Sequence, residues 1–157
     1  MFLTNWGLII EITIAVVFVL GILIIGSFLI VKSLRISYRD VFKFQSKFDI
    51  ELRKIVNLLS KMNGNGKLKL FQDVVIKELS HENKQIVLTL VEELYEGIDK
   101  ESESNSYLVE TYENLQETRR IRDSKAIIFN HKILMFPFNL FAKVLKMKPW
   151  HLLTKPE

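Results

Sequence analysis

The stretch from Ile12 to Val31, ITIAVVFVLGILIIGSFLIV, decides the fold, because twenty consecutive residues carry no charge. At 1.5 Å per residue, a helix of this length reaches about 30 Å, the thickness of the hydrocarbon core of a bilayer. Many of its residues are β-branched, but a lone segment in lipid has to be helical, since each unpaired backbone group there is costly. The sequence therefore predicts a single transmembrane helix over residues 12–31.

A cleaved signal peptide is the alternative explanation for this run. The run exceeds the usual apolar length of about 7 to 15 residues, no Lys or Arg precedes it, and no small-x-small cleavage pattern follows it. We therefore expect an uncleaved anchor.

The orientation follows from the basic residues around the run. None lies before residue 12, whereas Lys32 and Arg35 begin a basic segment directly after it. The positive-inside rule then places residues 1–11 outside the cell and residues 32–157 in the cytoplasm of a single-pass cell-membrane protein. Trp6 and Glu11 suit the outer interface, where Glu11 either snorkels to water or serves as a proton or ion relay.

The cytoplasmic part shows three long stripes of apolar residues at helical spacing, which predict an all-α antiparallel bundle of three to four helices. Asn63-Gly64-Asn65-Gly66 is expected to end the first helix, and Ser80-His81-Glu82-Asn83 to kink or re-cap the second. The stripes contain the following residues: Tyr38, Phe42, Gln45, Phe48, Leu52, Ile55, Leu59 and Met62; Leu68, Phe71, Val75, Leu79, Ile86, Leu90, Leu94 and Ile98; Leu108, Tyr112, Leu115, Ala126, Phe129, Ile133 and Phe136.

Charge is sorted along the chain. Residues 32–62 carry eight basic and three acidic side chains, residues 67–117 five and twelve, and residues 118–157 nine and two. Helices of alternating charge favour one bundle topology over its mirror arrangement. The position of residues 67–79 decides whether the third helix runs toward the membrane or away from it, and the sequence leaves that open.

Arg119 and Arg122 fall where the third stripe should be apolar. A buried arginine needs a carboxylate partner, so both are expected to fix the bundle register through salt bridges between helices. A pocket for an anionic ligand is the alternative. The candidate partners are Glu78, Glu92, Glu93 and Glu96.

Pro137 ends the third stripe, since proline lacks the N–H that a helix interior requires. Asn139 is then placed to cap the next helix. Beyond this corner, lysines alternate with large apolar side chains, as in a helix that lies on an anionic membrane surface. Packing on the bundle or on a partner is the alternative for this segment. Its contact residues are predicted to be Phe138, Phe141, Lys143, Lys146, Lys148 and Trp150.

No pattern of catalytic or metal-binding residues is present. The chain has no cysteine, and Glu78-x-x-His81 has the spacing of half a di-iron site but lacks the second Glu-x-x-His that such a site requires. The sequence therefore predicts neither an enzyme nor a metal or cofactor site. The pI of 9.2 does not indicate nucleic-acid binding, because anionic lipid lies nearer to these lysines.

The third helix resembles the C-terminal region of the LemA family. The resemblance is carried by Leu115-Gln116, Arg119, Phe129-Asn130, Ile133, Phe136-Pro137, Asn139-Leu140 with Ala142, and Lys148-Pro149, and more loosely by Phe48-Asp49-Ile50-Glu51-Leu52. Phe129 stands where the family has Tyr, and the middle of the chain shows no match. The resemblance implies an N-terminal membrane helix with a cytoplasmic helical bundle, and it carries over no catalytic residue.

By elimination, we expect a binding role. The leading hypothesis is a cytoplasmic scaffold or adaptor that binds another protein at the membrane. The alternative is a lipid-binding or lipid-sensing module that uses the basic C-terminal segment. Gly21 and Gly26 are five positions apart and form no small-xxx-small motif, so the sequence leaves the oligomeric state open.

Overall fold

The computed structural model describes residues 2–63, 68, 71 and 74–154, and the regular secondary structure in these ranges is helical. Four α-helices have defined bounds there: α1 is Phe2–Asn63, α2 is His81–Glu96, α3 is Ser106–Leu134 and α4 is Phe138–Val144. Short 3-10 turns at Ile76–Glu78 and Glu103–Asn105 precede α2 and α3. The predicted all-helical class is confirmed for the described residues.

The helix α1 contains both the uncharged stretch and the first stripe of the body. It continues through Lys32 without a break, and its apolar part is the one helix in the described ranges that is long and apolar enough to cross a membrane. The large side chains of that stretch are exposed as far as Leu29, and Ile30 at its end packs against the body of the protein. The described part of α1 extends to Asn63, and the rest of the predicted stop, residues 64–66, lies outside the described residues.

The helix α3 runs antiparallel to α1. Near its end, Lys132 Nζ donates to Ser33 Oγ at 3.1 Å and to Ser37 Oγ at 2.8 Å, whereas farther back Arg122 Nε donates to Gln45 Oε1 at 2.8 Å. The C-terminal end of α3 therefore lies beside the point where the uncharged stretch of α1 ends.

The helix α2 runs antiparallel to α3 and hence parallel to α1. Glu92 of α2 pairs with Arg119 of α3. One turn farther along α2, Tyr95 stacks on Tyr112, which lies earlier in α3, with ring centroids 3.7 Å apart. At the start of α2, Ser80 accepts a hydrogen bond from the backbone N–H of Asn83, so the Ser80–Asn83 stretch is a helix cap. The start of α2 thus lies beside Asp49, nearer to the uncharged stretch than the end of α1 is, and α3 runs back toward that stretch, which settles the direction that the sequence left open.

Two apolar cores lie along α1, one on each side of Gln45. The core near the uncharged stretch contains Leu34, Val41, Ala126, Phe129, Ile133 and Ala142. The far core contains residues of α1, α2 and α3 and of the 3-10 turn before α2. Its members are Phe48, Leu52, Ile55, Val56, Leu59, Leu68, Ile76, Val87, Leu88, Val91, Tyr95, Leu108, Leu115 and Leu153. A polar layer of Gln45, Arg122 and Asp123 separates the two cores.

The stripes drawn from the sequence were partly wrong about which face is buried. In α1, Leu34 and Val41 are buried whereas Phe42 is exposed. In α2, Val87 and Val91 are buried whereas Ile86 is exposed. In α2 the reason is that residues 86–91 are apolar at almost every position, so that their spacing does not select one face of the helix.

Candidate functional site

The polar residues of the α3 stripe hold the C-terminal segment of the chain. We call residues Trp150–Thr154 the tail, and we call the four side chains that bind it the tail clamp: Arg119, Arg122, Asp123 and Asn130. The tail has no helix or strand, so its backbone groups need partners from elsewhere. The side chains of the clamp supply those partners.

Asn130 binds the first residue of the tail from both directions. Its Nδ2 donates to the carbonyl oxygen of Trp150, and its Oδ1 accepts from the backbone N–H of Trp150, both at 2.8 Å. An amide side chain can reproduce in this way the paired hydrogen bonds that a neighbouring strand would offer. The Trp150 ring then packs 5.4 Å from Tyr38 and 5.7 Å from the Arg122 guanidinium.

Asp123 binds the end of the tail. Its carboxylate accepts from the backbone N–H of Leu153 at 3.1 Å and from the backbone N–H and hydroxyl of Thr154 at 2.8 and 2.7 Å. Burial alone would raise the pKa of Asp123, but the hydrogen bonds from Thr154, Arg122 and Leu153 outweigh it and lower that pKa. The carboxylate is therefore ionised at neutral pH and accepts from every donor around it.

Arg122 is only 2% exposed and has a partner on each side. It pairs with Asp123 at 2.7 Å, donates to Gln45, and donates to the carbonyl oxygen of His151. The prediction that one of the four glutamates would pair with Arg122 is wrong. The adjacent Asp123 and the backbone of the tail contact its guanidinium instead. Its Nε and Nη1 donors are occupied inside the protein, and a pocket for an anionic ligand at this residue stays a prediction.

Arg119 contacts three parts of the fold. Its Nη1 lies 2.7 Å from Glu92 of α2, one of the four predicted glutamates, and its Nη2 donates to the carbonyl oxygen of Leu153 at 3.2 Å. The side chain thus joins α2 and α3 to the tail. Its effect on the register of the helices stays a prediction.

A groove of about 1030 Å³ opens beside the clamp, between α2, α3 and the tail. Its wall includes Ile127, Ile128 and Leu152. At its edge, the rings of His81 and His151 lie 5.4 Å apart. Burial, together with the nearby His151 and Arg122, lowers the pKa of His81. The groove is therefore a mainly apolar surface with neutral histidine at its edge.

A third ion pair, which the sequence did not reveal, joins α1 to α2. Lys84 Nζ lies 2.8 Å from Asp49 Oδ1, and both side chains are 9% exposed. Gln45 Nε2 also donates to this carboxylate at 2.9 Å. The two charges are 35 positions apart along the chain, so no local spacing pattern could have indicated them.

The corner after α3 exposes a set of large apolar side chains. The helix α3 ends at Leu134, and Pro137 precedes α4, because proline disfavours a helical conformation in the residue before it and has no N–H of its own. We call the exposed set the apolar corner; its members are 52 to 80% exposed and are Leu134, Met135, Phe136, Leu140 and Val144.

The C-terminal segment divides its predicted contact residues between two faces. Phe138, Phe141 and Trp150 pack against the core that contains Leu34 and Phe129, whereas Lys143, Lys146 and Lys148 are exposed. The segment therefore covers its own body with one face and leaves the apolar corner and the lysines open.

The predicted cap at Asn139 is wrong. No side chain caps the start of α4; Asn139 lies inside the helix, where its backbone N–H donates to the carbonyl oxygen of Met135 at 2.9 Å. Its Oδ1 is buried and has no hydrogen-bond partner in the described chain. The helix begins at Phe138, two residues earlier than capping by Asn139 would require.

The remaining predicted site residues lie along α1. Trp6 and Glu11 are exposed before the uncharged stretch, and Lys32 and Arg35 are exposed directly after it. Among the described residues, no three His, Asp or Glu side chains come together as metal ligands would. His81 instead faces His151.

Comparison with known proteins gives no relative: no protein-family model, no curated protein and no solved structure matches the chain. The resemblance to LemA proteins stays a prediction.

Proposed function

We propose that this protein is a single-pass membrane protein whose helical body binds the surface of the same membrane through the apolar corner. One observation supports this most directly: the exposed apolar side chains lie beside the end of the uncharged stretch. Lys132, two positions before the corner, contacts Ser33 and Ser37 of α1, and Phe138 packs in the core with Ile30. A helix that leaves a bilayer near Val31 would hold the corner at the level of the lipid headgroups.

The cost of exposure supports lipid as the partner of the corner. Burying a large apolar side chain contributes about 1.5 to 3 kcal/mol, and a contiguous exposed patch on a protein surface marks an interaction site. The bilayer is the nearest apolar phase for a chain anchored by residues 12–31. Basic side chains around the corner, Lys32, Arg35, Lys143, Lys146 and Lys148, are suited to anionic headgroups, each contributing about 1 kcal/mol near such a surface.

Single-cysteine labelling tests this proposal, since the chain contains no cysteine. The full chain is placed in vesicles containing anionic lipid, and Leu140→Cys and Val144→Cys variants are labelled with an environment-sensitive fluorophore. We expect a blue-shifted emission that nitroxide-labelled lipids quench. Ile127→Cys is the matched control, because Ile127 is 43% exposed and lies on α3 away from the corner.

Equal emission and equal quenching at positions 127, 140 and 144 would contradict the proposal. Loss of quenching in vesicles without anionic lipid would show that the lysines contribute; its persistence would assign the binding to the apolar side chains alone.

Protein binding is the second candidate function, and the groove beside the tail favours it. Its exposed Ile127 and Ile128 form an apolar wall that faces away from α1, which suits a scaffold that binds another protein. A photo-crosslinker at Ser124, which lines the groove, should give a discrete product in membranes, and Ile128→Glu should abolish it. A product that survives Ile128→Glu would argue against the groove as the binding surface.

We also propose that the chain is a member of the LemA family, because of the motifs within residues 115–149. The membrane helix and helical body that the resemblance implies agree with the arrangement proposed here.

A further inference from the structure

A small cavity lies within the polar layer, between α1, the start of α2 and the tail. Its volume is about 310 Å³, at the lower end of the range of roughly 300 to 1,000 Å³ for small-molecule sites. The rings of His81 and His151 form part of its wall. Three basic side chains and one acidic side chain also line it: Lys77, Lys84, Arg122 and Asp49. The cavity therefore carries a surplus of positive charge.

Arg122 has a hydrogen-bond donor that the described part of the protein does not use. Its Nε donates to Gln45, and its Nη1 donates to Asp123 and to the carbonyl oxygen of His151. Its Nη2 donates to no group in the described chain, and it is not among the enclosed polar atoms that lack a partner. The side chain is only 3% exposed, so this free donor faces the cavity that Arg122 lines.

The start of α2 adds further donors beside Arg122. Lys84 Nζ gives one of its N–H groups to Asp49 at 2.8 Å, and both side chains are 9% exposed. The Asp49 carboxylate also accepts from Gln45, so its negative charge is already compensated. Since α2 begins at His81, which lines the cavity, the positive end of the helix dipole lies at the same place. These groups suit an anion rather than a cation.

The donors also indicate which kind of anion fits. A guanidinium presents its N–H groups in a planar fork that matches the oxygens of a phosphate or a carboxylate, and an ammonium adds a compact charge. Here the basic groups come from three different elements: Arg122 from α3, Lys84 from α2 and Lys77 from the 3-10 turn before it. A ligand held by three elements needs oxygens in three directions, which a tetrahedral phosphate has and a planar carboxylate lacks.

We propose that this cavity binds a soluble phosphate group, either inorganic phosphate or the phosphate of a small ester, through Arg122 and Lys84 with Lys77 at its rim. A lipid headgroup is too far away to supply the phosphate. Gln45, which lines the cavity, lies about 21 Å beyond Val31 along α1 at 1.5 Å per residue, whereas headgroups extend about 5 to 8 Å beyond the hydrocarbon core. The proposal does not depend on lipid binding by the apolar corner.

Trp150 can report phosphate binding directly, because it lines the cavity and its ring lies 5.7 Å from the Arg122 guanidinium. The full chain with Trp6→Phe, in micelles of an uncharged sugar detergent, is titrated with sodium phosphate and, separately, with sodium chloride at equal ionic strength. We expect a saturable change of Trp150 emission with phosphate and none with chloride. Glycerol phosphate tests the ester: tighter binding than that of inorganic phosphate would identify an ester as the occupant.

Three variants test the assigned donors. Arg122→Lys keeps the charge but loses the planar fork, and it should weaken phosphate binding by at least about tenfold. Lys77→Gln changes an exposed side chain and should weaken binding about threefold. Lys61→Gln is the matched control, because it removes the same charge from an exposed position near the end of α1, and it should leave the affinity unchanged. If circular dichroism shows that Arg122→Lys unfolds, the comparison of Lys77→Gln with Lys61→Gln decides.

Emission that does not respond to phosphate, or that responds equally to chloride, would overturn the proposal. Equal weakening by Lys77→Gln and Lys61→Gln would do the same, since net charge alone would then explain the binding. A response to micelles that contain phosphatidylglycerol, without added phosphate, would also overturn it and would assign the cavity to a lipid headgroup.

Discussion

The buried pair of Lys84 and Asp49 shows how much a single residue can contribute to this fold. It lies next to the polar layer, it joins α1 to α2, and water has little access to either side chain. Removing one partner of such a pair leaves an uncompensated buried charge, which is far more costly than the pair itself is stabilising.

Lys84→Met is expected to lower the free energy of unfolding by about 3 to 5 kcal/mol, measured by urea denaturation of the full chain in detergent. The double variant Lys84→Met, Asp49→Leu should recover most of this loss, because neither charge is then buried. The control is Lys54→Met, which removes the exposed pair of Lys54 with Glu51 and should cost no more than about 1 kcal/mol. Equal losses in the two single variants would contradict the buried pair.

Sequence reasoning identified the unusual residues but not all of their partners. Arg119 and Arg122 stood out because they interrupt an apolar stripe, and this required only local spacing. The partners of Arg122 include Gln45, 77 positions away, and a backbone carbonyl of the tail. Backbone atoms have no signature in the sequence, so the tail clamp could not be predicted.

At the scale of the elements, helix types and stops were easier to predict than faces. The helical state of the uncharged stretch, the cap at Ser80 and the break at Pro137 depend on strong local preferences of the backbone. The buried face of α2 depends on which side meets Asp49 and the far core, and a run that is apolar all round does not specify this.

The corrected position of Asn139 gives a prediction about α4. Asn139→Ala should leave the midpoint of urea unfolding unchanged or raise it, because it removes a buried oxygen that has no partner and places a better helix former in α4. Ser80→Ala is the comparison, since Ser80 does cap α2; it should lose about 0.5 to 2 kcal/mol. A similar loss in Asn139→Ala would restore a capping role.

At the scale of the whole molecule, acid should release the tail in two steps. Folding lowers the pKa of His81, so its contribution is complete above about pH 6.5 and declines as the pH falls toward the lowered value. Folding also lowers the pKa of Asp123, whose contribution is present above about pH 3.9 and is lost as the pH falls through the lowered value. The charged and titratable groups facing His81 are His151, Arg122, Asp123 and Glu82.

Trp150 fluorescence measures this release. Trp6→Phe leaves Trp150 as the one tryptophan of the chain, and its emission should shift to the red below pH 6.5 and again below pH 4. His81→Gln should remove the upper step and keep the lower one. Constant emission between pH 7 and pH 3 would show that neither group controls the tail.

The proposed topology predicts the result of labelling in whole cells. Asn5→Cys should react with a membrane-impermeant maleimide on intact cells, whereas Glu117→Cys should react after lysis alone. Glu117 is exposed on α3, so burial in the protein would not explain its protection. Labelling of Glu117→Cys on intact cells would reverse the orientation.

The unbroken α1 has a mechanical consequence. From Val31 to Asn63 it continues for about 48 Å at 1.5 Å per residue, and no glycine, proline or change of helix type provides a joint along that length. A rod of this kind transmits rotation: a tilt of about 10° at its base would displace its far end by about 8 Å. If residues 12–31 span a bilayer as proposed, its thickness or curvature would set their tilt and so move the far core. Two glycines inserted after Val31 should uncouple the tilt from that movement.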